Sequence, residues 1–144
     1  MRHFAPAKVN LALHVTGRRE DGYHLLDSLV VFAGVGDWVD IRASDELGLS
    51  VSGPRAEGVP TDDSNLVWRA AKAFGERRGA KIHLEKHLPH AGGIGGGSSD
   101  AGATLRGLSV LWGRDMPDRD TMLSIGADIP VCASGHPARM RGIG

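Results

Sequence analysis

The chain has 144 residues, 41% hydrophobic and 24% charged, with 17 Lys plus Arg against 17 Asp plus Glu. That length suits one domain with a real core, and the balanced charge gives no electrostatic case for nucleic acid or an anionic membrane as partner. Apolar stretches are too short to span a bilayer, the start (Met1 to Pro6) lacks a signal-peptide core, and a single cysteine, Cys132, closes no intrachain disulfide, so a cytoplasmic protein is expected.

Phe4 to Val15 alternates Val9, Leu11, Leu13 and Val15 with Lys8, Asn10, Ala12 and His14. The period of two predicts a strand with Lys8 and Asn10 on one face, opposite the apolar one. Thr16 to Gly22 reads as a turn-rich loop. Leu25 to Ala33 predicts a second strand, Asp37 to Ala43 a third, and Leu47-Leu49-Val51 a weaker fourth. Ser52 to Asp62, with Gly53-Pro54, Gly58 and Pro60, predicts a loop.

Asp63-Ser64 reads as the cap of a helix carrying Leu66, Val67, Ala70, Ala71 and Phe74, with Gly79 as its stop. Ala80 to Leu88 alternates as a strand. Pro89 to Ser99 is glycine-rich, and Asp100 to Trp112 predicts a helix stopped by Gly113. A short helix is expected from Pro117 or Asp118 to Ser124, and a loop over Gly126 to Ala133. Trp38, Trp68 and Trp112 sit on apolar faces and are expected in the core. Strands mixed with helices predict an α+β domain with a largely antiparallel sheet and helices on one face.

The glycine-rich segment comprises Pro89, His90, Ala91, Gly92, Gly93, Ile94, Gly95, Gly96, Gly97, Ser98 and Ser99, between a predicted strand and a predicted helix. Glycines let backbone N–H groups converge on an anion, and the helix start adds unpaired N–H groups and dipole. A flexible Gly/Ser linker has the same composition, but a position between two regular elements of one small domain disfavours it. No G-x-x-x-x-G-K-[ST] is present, and the G-x-G-x-x-G spacing fails because Ser98 stands five after Gly93.

Four segments carry a resemblance: Ala5-Pro6-Ala7-Lys8-Val9-Asn10-Leu11, Gly22-Tyr23-His24, the run from Pro89 to Asp100, and Gly126-Ala127-Asp128-Ile129-Pro130-Val131. The glycine-rich run resembles the phosphate motif of the GHMP kinase superfamily. The other three narrow the likeness to the branch acting on a cytidine diphosphate-linked methylerythritol in the non-mevalonate isoprenoid pathway. The resemblance implies a ribosomal protein S5 domain 2-like fold, ATP as phosphate donor with Mg²⁺, and transfer to the 2-hydroxyl of that small-molecule substrate. It makes the run from Pro89 to Ser99 the ATP-binding loop.

The resemblance also assigns roles. Lys8, by itself readable as a solvent-facing lysine, becomes the charge beside the reacting hydroxyl and phosphate. Asp128, by itself readable as a turn residue, becomes the general base. Tyr23, otherwise a core candidate, stacks on the cytosine, His24 hydrogen-bonds it, and Asn10 holds the methylerythritol. His83, His87 and His90 are loosely spaced like a zinc half-site but have no cysteine nearby. Family members continue with a second domain of similar size, so residues 1–144 correspond to the N-terminal, ATP-binding domain, with the C-terminal domain absent from this chain. Two other readings stay open: another GHMP small-molecule kinase, and a truncated, non-catalytic nucleotide-binding fragment.

Overall fold

The structure, a computed structural model, describes residues 1–22, 24–75, 78–90 and 95–143. In chain order the elements are β1 (Arg2–Arg18), β2 (His24–Ser44), β3 (Leu47–Ser52), α1 (Leu66–Lys72), β4 (Gly79–Glu85), α2 (Gly96–Trp112), α3 (Arg119–Ile125), α4 (Ile129–Ser134) and β5 (Ala138–Ile143). The sheet runs β1-β2-β4-β3, and β5 also pairs with β2. All pairs are antiparallel except β3 with β4. The domain is α+β, with a sheet that is largely antiparallel.

Two predicted strands are one. β2 runs unbroken through Gly34 and Gly36 because β1 pairs with it on both sides, at Ala5↔Asp37 and Lys8↔Phe32. The strand bends there instead of stopping. A Cβ on Gly36 would lie 2.2 Å from the Ala5 carbonyl oxygen, so only glycine allows the close approach. β1 likewise continues to Arg18, past the expected loop start, because Gly17 and Arg18 still pair with Leu25 and His24.

β1 corrects the expected face assignment. Its register shifts between Pro6 and Lys8 and again between Asn10 and Ala12. Such a bulge inserts a residue and re-aims the side chains that follow. Ala5, Ala7 and Lys8 are therefore all buried, while Val9, Leu11 and Val15 are exposed. The supposedly solvent-facing lysine points inward.

The helices also begin elsewhere than expected. Asn65, not Asp63-Ser64, caps α1: its side-chain oxygen accepts from the Val67 N–H at 2.9 Å and its amide donates to the Pro60 carbonyl at 2.8 Å. Asp62 instead holds Ser64, through N–H and hydroxyl. α1 ends at Lys72, with Gly75 left-handed beyond it, so Gly79 opens β4. α2 starts inside the glycine run, at Gly96, four residues early. The expected loop over Gly126 to Ala133 contains α4, with Pro130 in its first turn where the missing N–H costs nothing. Asp118 caps α3 through the Thr121 N–H.

Ala5, Val39, Ile41, Ile82 and Leu84 of the sheet meet Val67 and Ala71 of α1 and Ala103, Leu108 and Trp112 of α2. Burying each large side chain contributes about 1.5–3 kcal/mol. Trp112 stacks edge-on against Phe74. Trp38 and Trp68 are only half-buried, and Trp38 lies under the Arg2 guanidinium on the outer side of the sheet. A second cluster, Leu105, Ile125 and Ile129, joins α2 to α3 and α4. α2 thus packs on β1 and α4 together. No helix among the described residues is long and apolar enough to cross a membrane.

Candidate active site

The bulge in β1 and the N-cap of α4 meet. Lys8 Nζ lies 3.0 Å from Asp128 Oδ2, with side chains 5% and 35% exposed. The lysine is thus sequestered while the carboxylate keeps an open side. Asp128 makes no capping hydrogen bond to its own helix, so its oxygens are not spent on α4. Two residues 120 positions apart become one ion pair because α2 holds both their elements.

Four residues along α2 do this. Gly95, its N-cap, is left-handed at φ +62°, and a Cβ there would sit 2.6 Å from Lys8 Cε. Ser99 donates its hydroxyl to the Pro6 carbonyl at 2.6 Å. Farther along, a Cβ on Gly102 would lie 2.5 Å from the Cys132 carbonyl carbon, so α4 rests directly on α2. Arg106 completes the arrangement, donating to the carbonyls of Cys132 at 2.7 Å and Phe4 at 3.1 Å. Burial holds its guanidinium below the usual value.

The start of α2 suits an anion. Gly95 has no side chain to cap the helix, and the first intrahelical bond runs from Ser99 N–H to the Gly95 carbonyl. The N–H groups of the first turn therefore have no intrahelical acceptors, and the helix dipole adds to their pull. Gly95, Gly96, Gly97, Ser98 and Ser99 form this turn. Pro89 and His90 lead toward it from β4 and are exposed. Ala91, Gly92, Gly93 and Ile94 lie outside the described residues.

Beneath the turn is a cluster not anticipated from the sequence. Lys86 Nζ donates to Asp37 Oδ2 at 2.5 Å and to Asp100 Oδ2 at 2.9 Å, all three side chains being at most 1% exposed. Asp37 Oδ1 also accepts from the backbone N–H of His87 and Leu88. Asp100 Oδ1 is buried and has no hydrogen-bond partner among the described residues. Burial pushes the Asp100 carboxyl up to about 8, against the pull of Lys86 and with some help from Asp37. Burial also works against the Lys86 charge, but the two carboxylates outweigh it and the ammonium is raised. The sequence held one hint, an aspartate directly after Gly36 within an apolar strand. The partners at 37, 86 and 100 share no local spacing.

The remaining candidates fall into two groups. Asn10 is exposed on β1, and its Oδ1 accepts from the Ser28 hydroxyl at 3.1 Å. Tyr23 lies outside the described residues, and His24 is described only through its backbone, which pairs with Arg18. His83 engages Ser50 and Ser52 at 2.8 Å through its two ring nitrogens, and His87 engages Glu85. Both therefore make local polar contacts. Cys132 is buried beside the site, and burial pushes its thiol up to about 12, keeping it neutral.

Known proteins are similar to this chain in sequence and fold. The family model "GHMP kinases N terminal domain" matches residues 65–138. A relative from Jannaschia sp. (strain CCS1), named 4-diphosphocytidyl-2-C-methyl-D-erythritol kinase, is 66% identical over 143 residues, which cover 99% of this chain and 51% of the relative. One of the same name from Ruegeria pomeroyi is 58% identical over 98% of this chain and 50% of its own length. A crystal structure of 4-(cytidine 5'-diphospho)-2C-methyl-D-erythritol kinase superposes with a TM-score of 0.80 at 38% identity, covering 99% of this chain and 52% of that one. Homoserine kinase from Cytophaga hutchinsonii shares the fold at 21% identity and a TM-score of 0.59, over 95% of this chain and 42% of its own. The chain spans about half the length of the curated relatives it matches.

Proposed function

The chain belongs to the GHMP kinase family, and on that premise we propose that it is the nucleotide-binding domain of an ATP-dependent kinase phosphorylating the 2-hydroxyl of 4-diphosphocytidyl-2-C-methyl-D-erythritol. The Lys8–Asp128 pair, 3.0 Å apart beside Gly95, carries the proposal. The motifs and the names of its relatives support a place in the non-mevalonate isoprenoid pathway, and action in the cytoplasm is part of the proposal.

The proposed chemistry combines this geometry with the roles that the family resemblance implies. Asp128, with an open side, takes the proton of the substrate hydroxyl as its oxygen bonds to the γ-phosphorus and the bond to the ADP oxygen breaks. Lys8, fixed by burial, orients Asp128 through the ion pair and stabilises negative charge developing on the phosphoryl group. The first turn of α2, from Gly96 to Ser99, holds the phosphates of ATP through backbone N–H groups. Mg²⁺ bound with the triphosphate would neutralise part of its charge. Asn10 positions the methylerythritol, with Ser28 fixing its amide; Tyr23 and His24 receive the cytosine. A further domain, corresponding to the remaining length of the relatives, supplies the opposite wall of the cleft.

Incubation with ATP and 4-diphosphocytidyl-2-C-methyl-D-erythritol, following ADP and the phosphorylated product, tests this in the full-length enzyme. Homoserine and mevalonate serve as competing alcohols. Turnover of the methylerythritol compound alone is expected; preference for another alcohol overturns the substrate, and no nucleotide binding overturns the kinase reading.

A further inference from the structure

We propose that the buried Asp37–Lys86–Asp100 cluster positions the nucleotide phosphates: Lys86 steadies the first turn of α2 and lends it positive charge, while Asp100 sets how much of that charge the phosphates meet. This rests on the kinase reading of that turn. Three observations carry it. A Cβ on Gly96 would lie 3.5 Å from Lys86 Nζ, so the ammonium sits directly under the first helical residue. Asp100 belongs to the same helix, one turn on, and ties that turn to Lys86. The two carboxylates are also unequal.

Asp37 is engaged at both oxygens, by Lys86 and by two backbone N–H groups. Asp100 is engaged at one, with the other buried and unpartnered among the described residues. An unpartnered buried carboxylate oxygen is costly as an anion and acceptable as part of a neutral acid. With Asp100 charged, the cluster carries net −1 under an anion site; with Asp100 protonated, it carries none. The groups facing Asp100 are Lys86 from the segment after β4, Asp37 from β2 and the neutral Cys132 thiol from α4. Lys86 alone opposes the negative charge, and burial tips Asp100 toward the acid up to about pH 8. The phosphates therefore meet a floor without net negative charge at neutral pH and a repelling one above that value.

Calorimetric titration with ADP and with adenosine, at pH 7 and pH 9, separates this role from a purely structural one. Lys86→Met is expected to weaken ADP binding on the order of tenfold and to leave adenosine unchanged. The unsubstituted protein is expected to lose ADP affinity between pH 7 and pH 9, and Asp100→Asn to lose less. Where Lys86→Met fails to fold, the pH response of Asp100→Asn carries the test by itself. Equal loss of ADP and adenosine, unchanged ADP affinity, or the same pH response in Asp100→Asn each overturns the proposal while leaving the kinase reading intact. Absence of binding by the unsubstituted protein overturns both.

Discussion

Gly95 and Lys8 are packed so closely that a Cβ on the glycine would lie 2.6 Å from the lysine Cε. The first turn of α2 and the buried lysine are thus one mechanical unit, and the glycine is required twice, by its left-handed backbone and by its neighbour. In Gly95→Ala the left-handed backbone costs about 1–2 kcal/mol, and the methyl group must push Lys8 away from Asp128. The expected result is a modest fall in melting temperature with at least an order-of-magnitude loss of turnover. Parallel thermal melts and steady-state assays check it; a full fall in stability with turnover intact would show that the contact does not govern Lys8.

Asp128→Asn keeps the shape of the N-cap of α4 and removes the proton acceptor. Turnover is expected to fall on the order of 10²–10⁴-fold with nucleotide affinity retained, because Asp128 is not part of the phosphate turn. Lys8→Met is expected to lower kcat as well, and the double variant to lose much less than the product of the two single losses, since each residue acts through the other. Multiplicative losses would mean that the 3.0 Å contact is not a functional pair.

Stability carries the signature of Asp100. Its folded-state carboxyl is raised by burial to about 8 from an ordinary 3.8, so the fold holds a proton that the unfolded chain releases. That contribution is fully present below about pH 4, declines as pH rises through the interval, and is gone above about pH 8. Denaturant unfolding at pH 5, 7 and 9 is expected to show Asp100→Asn gaining stability relative to the parent as pH rises. A constant difference between the two proteins across that range would place the Asp100 titration elsewhere.

The contact between α2 and α4 is a backbone contact. A Cβ on Gly102 would lie 2.5 Å from the carbonyl carbon of Cys132, and neither helix has a flexible atom there to move aside. Gly102→Ala is expected to cost about 1–3 kcal/mol by overpacking and to shift Asp128 away from Lys8. Arg106→Met removes the donors that tie α4 to β1 and is expected to lower kcat more than it raises the KM for ATP. Unfolding curves and the split between kcat and KM read the two effects separately.

The local signals in the sequence were sufficient for several of the elements. Alternation marked β3 and β4, the spacing of Ala103, Leu105 and Leu108 marked α2, and the glycine run between β4 and α2 marked the turn that opens α2, since each depends on residues a few positions apart. The four motifs also pointed to the family. What sequence periodicity missed was decided by pairing between distant segments. A bulge against β2 turned Lys8 inward although its alternation placed it outside. The continuous partner strand β1 made one strand of two across Gly34 and Gly36. Tertiary burial of Ile129, Val131 and Cys132 made a helix of a segment with a loop's composition. The Asp37–Lys86–Asp100 cluster was beyond any local reading, because a buried charge is tolerable only where its partners already stand, and only the folded chain brings positions 37, 86 and 100 to one point.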